Sequence, residues 1–356
     1  MIVTPAQAAA SEAQCRVPCV KPAPTPSQRI GRNHGTTVTV THSEQLWTLS
    51  DGHAGNLRQA VALADALAVP AVRNVVLASR APWRWAAPRV WPGAQHAFGD
   101  AFAKALPAAP RIALGCGRQA ALATRVLRAH GSQAVQILDP RIDPAHWDVV
   151  IAPEHDALRG DNVISLLGSL HPVDDAWLKH ARERFAAFAR LPRPRIAVLL
   201  GGSSRHARFD CSAFHTLATK LDDVLAREGG SLLLSTSRRT PQEVRDALRM
   251  RAIATPHVRW LDASDGENPY AGMLGWADRI VCTPDSVNMV SEACATYAPV
   301  FVFDPGRAHG RPRRFLDSLL ARGRIRAMDQ ALAPFDVDPL RETARVAEEV
   351  RERLGL

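Results

Sequence analysis

The amino-acid sequence predicts an α/β protein of two successive Rossmann-like units, each built on a parallel sheet. Short apolar runs of strand length alternate with amphipathic helices, which is typical of βαβ units. The alternation stops at the Leu-Pro-Arg-Pro stretch 191–194 and then restarts, which indicates a linker. The 356 residues suffice for two domains of about 100–200 residues each. The predicted parts are a disordered leader (1–35), an N-terminal domain (36–172), a linker helix with a Pro-rich hinge (173–194), a C-terminal domain (195–330) and a helical tail (331–356).

Each unit repeats strand, polar or glycine turn, and helix. The apolar runs lack polar alternation, as in strands buried on both faces of a parallel sheet. In the first unit the predicted strands are 38–49, 72–77, 111–114, 134–138 and 149–152, and the helices are 56–67 and 119–130. From the linker onwards the predicted helices are 174–190, 211–228, 243–252, 287–296 and 341–354, and the strands are 196–200, 231–236, 279–282 and 300–303.

Composition narrows the class of protein. Hydrophobic residues make up 46% and charged residues 22%, as in an ordinary globular protein, and no apolar run approaches the ~18–20 residues of a membrane-spanning helix. The leader contains five prolines and no apolar core, so it does not resemble a secretory signal. Six scattered cysteines predict free thiols and a cytoplasmic protein. A net charge of +9 favours acidic partners: nucleic acid, anionic lipid or phosphorylated ligands.

Ligands of such sheets bind beyond the carboxyl ends of the strands, and the loop and helix at 283–293 suit a nucleotide there. Ser286 is a helix cap, and Asp285 and Asn288 flank the first-turn N–H groups, which hold phosphate. Glu292, about one and a half turns into the helix, is suited to accept hydrogen bonds from two ribose hydroxyls. The alternative is a capped, buried helix with Glu292 at a solvated edge.

The loop at 235–241 suits a diphosphate. Thr240 is the predicted N-cap, with Pro241 as the first helical residue. Arg238 and Arg239 stand beside that terminus, and guanidinium groups bind phosphate oxygens bidentately. The alternative is a pair of solvated surface arginines.

Gly201, Gly202 and Ser203 end another strand. Glycines without Cβ atoms permit close approach of a ligand, although a lone pair is a weak signal. The stretch is not a phosphate-binding P-loop, since the spacing to Gly-Lys-Ser/Thr is absent, and the chain contains no GxGxxG motif.

Two groups of His and carboxylate side chains suit acid–base chemistry. Asp51 and His53 follow the first strand, and His155 and Asp156 follow the last strand of the first unit. Either pair is suited to deprotonate an acceptor hydroxyl. The alternative is that these histidines cap helices or pack. No His/Cys spacing predicts a metal site, and no GxSxG motif predicts a serine nucleophile.

Three tryptophans, Trp83, Trp85 and Trp91, interleave with arginines within a short segment. Indole rings beside cations suit a phospholipid interface. The same cluster also suits stacking on single-stranded nucleic acid. The favoured alternative is that the tryptophans pack an irregular loop against the first domain.

Several motifs in order carry a resemblance over about residues 44–330. They are Asp-Gly-His-Ala-Gly-Asn (51–56) with Gln59, Pro-Glu-His-Asp (153–156), Leu-Gly-Gly (200–202), Thr-Ser-Arg-Arg-Thr-Pro (236–241), Asn-Pro-Tyr (268–270), Ala-Asp (277–278) and the 283–293 segment. Together they resemble the bacterial members of the "elongated mitochondria" family of mitochondrial-fission proteins. That family in turn resembles GT-B glycosyltransferases, in which two Rossmann-like domains face each other across a cleft and the second holds a nucleotide-sugar.

The resemblance implies roles for single residues. The 285–292 segment is similar to the donor-binding helix of GT-B enzymes, including the peptidoglycan transferase that acts on a lipid-linked acceptor, and it assigns ribose binding to Glu292. The loop 51–55 corresponds to the glycine-rich acceptor loop of those enzymes but lacks their full glycine run. The plant namesake is known as a fission factor rather than as an enzyme. The expected donor-binding residues are Gly201, Gly202, Ser203, Arg238, Arg239, Thr240, Asp285, Ser286, Asn288 and Glu292.

The leading hypothesis is a GT-B-type glycosyltransferase that binds a nucleotide-sugar and acts on a membrane-associated or lipid-linked acceptor at the cytoplasmic membrane face. His53 or Asp51 is then the base, His155 and Asp156 line the cleft, and neither a metal nor a tightly bound cofactor is expected. Two alternatives stay open: a non-catalytic adaptor that retains the fold, and nucleic-acid binding through charge. The second is disfavoured because no helix is dense in Arg and Lys.

Overall fold

The computed structural model describes residues 45–356, and over that range the predicted alternation of strands and helices in two parallel sheets is confirmed. The predicted leader and the first part of the predicted strand 38–49 lie outside the described residues. The strands of the first sheet are β1 (Leu46–Ser50), β2 (Val72–Val76), β3 (Ile112–Cys116), β4 (Gln133–Ile137), β5 (Val149–Pro153) and β6 (Val163–Leu166). Those of the second are β7 (Arg195–Leu200), β8 (Ser231–Thr236), β9 (His257–Trp260), β10 (Arg279–Cys282), β11 (Val300–Val302) and β12 (Ile325–Ala327).

The helices cover the faces of both sheets. They are α1 (Ala54–Leu67), α2 (Trp83–Ala86), α3 (Asp100–Ala105), α4 (Arg118–Arg128), α5 (Asp175–Arg184), α6 (Cys211–Glu228), α7 (Gln242–Met250), α8 (Tyr270–Trp276), α9 (Val287–Cys294), α10 (Gly310–Ala321) and α11 (Thr343–Leu354). Three elements, α6, β8 and β10, have the predicted bounds. Within residues 45–356, none of the helices has both the length and the apolar character needed to cross a bilayer.

The first sheet has the order β2-β1-β3-β4-β5-β6, with every neighbouring pair parallel. The order reverses between β1 and β3, because β2 lies on one side of β1 and all later strands lie on the other. A crevice opens above the carboxyl ends of strands at such a reversal. The loop that begins with Asp51 follows β1 at this point.

The second sheet has the order β12-β11-β10-β7-β8-β9, also parallel throughout. Counted from its own first strand this is the 3-2-1-4-5-6 arrangement of dinucleotide-binding domains. The order reverses between β7 and β10. The Gly201 loop follows β7 and the Asp285 loop follows β10, so the topology alone brings two of the predicted loops together.

The chain crosses between the two halves twice. Helix α5 packs with the second half, since Leu178 shares a core cluster with Met273 and Leu274 of α8. Helix α11 returns to the first half. Its Val346 and Val350 lie in one apolar cluster with Leu63 of α1 and Ile164 of β6. The segment predicted as a separate tail therefore completes the first core, which a one-dimensional pattern does not reveal.

Candidate functional site

A cavity of about 1120 Å³ lies between the two halves, where the carboxyl ends of both sheets meet. A volume of this order accommodates a nucleotide-sugar. Its lining includes Asp51, His53, Arg58, Gln59, Leu170, Ser235, Thr236, Ser237, Arg238, Arg239, Trp260, Asn268, Tyr270, Asp285, Ser286, Asn288, Met289 and Glu292. The two domains thus face each other across a cleft, as predicted.

Asp285 ties three loops together. Its side chain is fully buried, and its Oδ2 accepts hydrogen bonds from the Gly202 N–H and from Arg239 Nη2, both at 2.9 Å. Its Oδ1 accepts a hydrogen bond from Thr283 Oγ1 at 2.7 Å. Through these contacts Asp285 orients the side chain of Arg239, which is half exposed and lies at the cavity wall.

Gly201 and Gly202 were predicted to let a ligand approach closely, but the structure gives a different reason for the absence of side chains there. A Cβ at Gly201 would overlap the Asp285 carboxylate, and a Cβ at Gly202 would overlap the Arg239 carbonyl oxygen. Neighbouring loops of the protein, rather than a ligand, therefore require the missing side chains. Neither glycine is among the residues that line the cavity.

Two other predicted ligands turn away from the cavity. Ser203 Oγ donates to the Phe209 carbonyl at 2.9 Å and accepts from the Phe209 N–H at 3.0 Å. The buried Thr240 hydroxyl donates to the Leu200 carbonyl at 3.0 Å. Helix α7 begins after an N-cap at Pro241, one residue later than predicted, so Thr240 does not cap it. Both side chains fold the loops that carry the arginines.

The positive groups that remain available are Arg238 and the start of α9. Arg238 is exposed, and no ion-pair partner is found for it among residues 45–356. Ser286 is the N-cap of α9, and its Oγ accepts from the Met289 N–H at 3.4 Å, as predicted from the sequence. Asn288 faces the other domain and packs against Gly55. An anion in the cavity would meet Arg238, Arg239 and the positive end of a helix.

Glu292 is buried and engaged by two side chains. Tyr270 Oη donates to its Oε2 at 2.6 Å, and Arg58 Nε of α1 lies 3.1 Å from its Oε1. The Arg58 guanidinium also stacks over the Tyr270 ring at 5.4 Å. Burial raises the pKa of Glu292 above its usual value, whereas Arg58 and the Tyr270 hydrogen bond favour the carboxylate.

Asp51 and His53, the two residues predicted for acid–base chemistry in the first domain, contact each other. Asp51 Oδ1 lies 3.0 Å from His53 Nδ1 and also accepts from Asn56 Nδ2 at 3.0 Å. The His53 side chain is 80% exposed and lines the cavity. A carboxylate on Nδ1 leaves Nε2 to accept a proton, which is the arrangement of a general base with its orienting partner.

His155 and Asp156 are not brought to the cavity. They form a 3-10 turn, Glu154–Asp156, that packs against α10 of the other domain. Asp156 Oδ1 lies 2.9 Å from Arg311 Nε, and the His155 ring lies 5.6 Å from Phe315. Burial lowers the pKa of His155 to about 4 and raises the pKa of Asp156 to about 6. The expectation that they line the cleft is not met; they hold the domains together.

Sequence reasoning missed Arg58 and Trp260, which both line the cavity. Arg58 lies in the second turn of α1, near the positive end of the helix dipole, where a cation is disfavoured. This unfavourable position was the sequence signal that could have pointed to Arg58 as a site residue. Trp260 ends β9, a half-exposed edge strand without an apolar run, and that strand was not predicted.

The tryptophan segment divides into packed and exposed rings. Trp83 Nε1 donates to the Pro92 carbonyl at 3.0 Å, and this ring packs against the core of the first domain. Trp85 and Trp91 are 67% and 50% exposed.

Known proteins resemble this chain both in sequence and in fold. A profile of the family described as "Mitochondrial fission ELM1" matches residues 54–354. The mitochondrial fission protein ELM1 of Arabidopsis thaliana is 30% identical over 276 residues, which cover 69% of this chain and 64% of that protein. The uncharacterized protein RP120 of Rickettsia prowazekii is 25% identical over 210 residues, 57% of this chain and 58% of RP120. The chain thus spans about three-fifths of the length of these curated relatives.

Among solved structures, the UDP-GlcNAc 2-epimerase of Methanocaldococcus jannaschii matches with a TM-score of 0.54 and 11% identity, over 86% of this chain and 99% of the epimerase. A second structure of that enzyme, in complex with UDP-GlcNAc and UDP, matches with a TM-score of 0.50 and 9% identity, over 86% and 100%. Similarity at this level of identity is similarity of fold alone.

Proposed function

This chain belongs to the mitochondrial fission ELM1 family, and from that premise we propose that it is a GT-B-type glycosyltransferase-like protein that binds a nucleotide-sugar in the interdomain cleft. The observation that carries the proposal is the cavity itself. It joins two arginines, a helix N-terminus and a buried carboxylate on one wall to an Asp–His pair on the other.

The donor diphosphate is assigned to Arg238, Arg239 and the start of α9. Arg239 is pre-oriented by Asp285, and Arg238 is exposed and can close on the ligand. Guanidinium groups and helix N–H groups neutralise the charge that develops on a departing diphosphate. This chemistry asks for no bound metal.

The ribose is assigned to Glu292. Among the described residues Arg58 engages one of its oxygens and Tyr270 the other, and a carboxylate oxygen accepts about two hydrogen bonds. One further bond to each oxygen from the two ribose hydroxyls is therefore compatible with the contacts present. The M. jannaschii epimerase, a neighbour in fold, forms a complex with UDP-GlcNAc and UDP, which are ligands of the same class.

Deprotonation of the acceptor hydroxyl is assigned to His53 Nε2 as the general base, and Asp51 holds the other ring nitrogen, Nδ1. When His53 takes the proton, the acceptor oxygen attacks the sugar carbon. A bond forms between these two atoms, and the bond from that carbon to the diphosphate breaks. The exposed Trp85 and Trp91, with neighbouring arginines, support a membrane-associated acceptor and a peripheral location at the inner face of the membrane.

The test is a thermal-shift screen of UDP, GDP, ADP, CMP and their sugars. A ligand at about 100 times its Kd adds about 2.7 kcal/mol to the stability of the folded state, which is several degrees in Tm. Glu292→Gln should reduce the shift, and Glu352→Gln, an exposed glutamate of α11, is the matched control. A folded protein that no nucleotide shifts would contradict the proposal.

A second candidate is a non-catalytic adaptor that retains the fold. It is favoured by the engagement of Glu292 across the domain boundary and by the name of the Arabidopsis relative, a fission protein. Asp51→Ala and His53→Ala distinguish the two in cells. An adaptor keeps its cellular role when these residues are removed, and a transferase loses it.

A further inference from the structure

A second cavity, of about 690 Å³, lies in the first domain, and its lining has no residue in common with that of the interdomain cavity. Part of the lining comes from the last turn of α4 and the residues that follow it, up to His130. Another part comes from the segment 90–95, and His146 of the turn before β5 belongs to it as well. A volume of this order is typical of small-molecule sites.

The lining of this second cavity is basic. It contains Arg125, Arg128, His130 and His146, and none of its described residues is acidic. Arg128 Nη2 donates to Asp148 Oδ1 at 2.8 Å, so this arginine has a counterion. Cations are also favoured near a helix C-terminus, which accounts for Arg128 as the last residue of α4. The excess positive charge therefore lies on Arg125, and on the histidines when they are protonated.

Arg125 is a half-buried cation that has no acidic partner among residues 45–356. Its Nη1 donates to the Pro88 carbonyl at 2.7 Å, and its guanidinium lies over the Trp147 ring, 5.8 Å from the ring centroid. These contacts fix the group and leave most of its five N–H donors without a described acceptor. Burial lowers the pKa of Arg125 below its usual value, because the charge is partly removed from water. An anion in the cavity would supply the counterion that the protein does not.

The two histidines add donors beside this cation. His130 Nδ1 lies 2.9 Å from a backbone carbonyl oxygen of α4, so it carries a proton, and Nε2 has no partner in the part of the chain that the structure describes. Desolvation lowers the pKa of His146, and the charges of Arg125 and Arg128 lower it further. Asp143 opposes that effect. The His146 ring therefore lies in the positive potential that an anion would neutralise.

The lining at 90–95 is largely apolar. Val90 and Trp91 belong to it and are 47% and 50% exposed. A wall of this kind suits the carbon atoms of a ligand rather than a further charged group. The cavity thus combines cationic donors with an apolar wall.

We propose that this cavity binds a phosphomonoester, with its phosphoryl oxygens on Arg125, His130 and His146 and its carbon substituent against the apolar wall. A phosphomonoester offers three acceptor oxygens and up to two negative charges, which matches donors from several side chains better than a carboxylate does. The group has two sources, a small soluble phosphate ester and the headgroup of phosphatidic acid. Nucleotide-sugar binding in the interdomain cavity neither requires nor excludes this site, so the two proposals can fail separately.

The test titrates the folded protein with glycerol 3-phosphate and follows the His146 ring by proton NMR, with His146→Gln to assign its signal. The ring reports this cavity and not the interdomain one, where Arg238 and Arg239 also attract phosphate. We expect a saturable shift and a rise in the pKa of His146, because a bound dianion favours the imidazolium. Glycerol, which lacks the phosphoryl group, should give neither. Absence of a saturable shift with glycerol 3-phosphate would overturn the proposal while the proposed function stands.

Arg125→Ala should weaken the binding of glycerol 3-phosphate about tenfold or more, the usual loss for a charge-assisted contact. Arg190→Ala, which removes an exposed arginine far along the chain from this cavity, is the matched control and should bind as wild type does. Arg125→Lys keeps the charge but not the planar fork and should lose less, and it serves if the alanine variant does not fold. An affinity unchanged by both substitutions of Arg125 would overturn the proposal.

Co-sedimentation with phosphatidylcholine vesicles, with and without phosphatidic acid, distinguishes the two sources. Pelleting that requires phosphatidic acid and is reduced in Arg125→Ala supports the lipid headgroup as the ligand. Binding of glycerol 3-phosphate without such pelleting supports a soluble ester.

Discussion

The Nε atom of Arg58 lies 3.1 Å from Oε1 of Glu292, so an ion pair joins α1 of the first domain to α9 of the second. The Glu292 side chain is 5% exposed and that of Arg58 41% exposed. The pair thus combines a buried anion with a cation that reaches water. The same carboxylate is the proposed ribose ligand, so domain contact and ligand binding depend on one group.

Replacing Arg58 with Ala should make stability more dependent on pH. Without the cation the pKa of Glu292, which burial already raises, rises further above its usual value. A carboxyl with a raised folded-state pKa contributes stability at low pH that is lost as pH rises through that pKa. We expect the free energy of unfolding to fall by about 1–2 kcal/mol at pH 8 and by less at pH 5. The loss at pH 8 is smaller than the ~3–5 kcal/mol of a fully buried pair because Arg58 is partly solvated.

Urea unfolding at the two pH values measures this change. In a Glu292→Gln background the Arg58 substitution should cost little, because no buried anion remains at this position. Equal losses in both backgrounds would mean that Arg58 acts by packing.

His171 should destabilise the protein as pH falls. It is buried at the domain boundary near Arg58 and Arg341, and burial with these cations lowers its pKa to about 4. The unfolded chain takes up a proton below about pH 6.5 that the folded protein excludes, so stability is lost as pH falls from 6.5 toward 4. From pH 7 to pH 5 this residue should account for about 2 kcal/mol.

The measurement is the unfolding free energy of wild type and His171→Gln at pH 7 and pH 5. The variant should show a shallower fall. Some slope should remain, because the pKa of His155 is lowered in the same sense. Parallel curves would show that His171 does not titrate in this range.

Gly202→Ala should destabilise the second domain by about 1–3 kcal/mol, the usual cost of an overpacked site. The added methyl group would displace the Arg239 carbonyl and with it the loop that carries the proposed diphosphate ligands. Tm and pyrophosphate affinity should fall together. Gly306→Ala is the control, since its Cβ would meet only an ordinary 3.4 Å contact. A Gly202→Ala variant as stable as this control would refute the packing argument.

Trp85→Ala/Trp91→Ala should bind less to anionic phospholipid vesicles in co-sedimentation than wild type does. Both rings are exposed, so their loss removes interfacial contacts without loss of Tm. Trp83→Ala should instead lower Tm and leave vesicle binding unchanged, because that ring is packed and hydrogen-bonded within the protein. Undiminished pelleting of the double variant would leave its two tryptophans without a role at the membrane.

Much of the fold could be predicted because most inner strands consist mainly of apolar residues between turn residues, although β4 contains two glutamines. Seven strands are buried along their whole length: β1, β3, β5, β7, β8, β10 and β11. The three missed strands, β6, β9 and β12, each lie at the edge of a sheet. Strand β9, for example, carries His257 and Arg259 on a partly exposed surface, so it lacks such an apolar run.

The candidate site could be predicted only in outline. Strand order brings the ends of β7 and β10 together, so a sequence in which polar loops follow these strands indicates where a ligand would lie. It does not indicate which polar side chains the protein itself uses. Asp285 and Thr240 are consumed by hydrogen bonds within the loops, and Asp156 by an ion pair to Arg311.

The return of α11 to the first core affects the order of events during synthesis. Strands β1 to β6 leave the ribosome early, yet the apolar surface that Val346 and Val350 cover stays open until residues 343–354 are made. At about 5–20 residues per second that delay is on the order of tens of seconds. The second domain has all its strands before then, so we expect it to complete its core first and the nascent first domain to be the part that needs protection from aggregation.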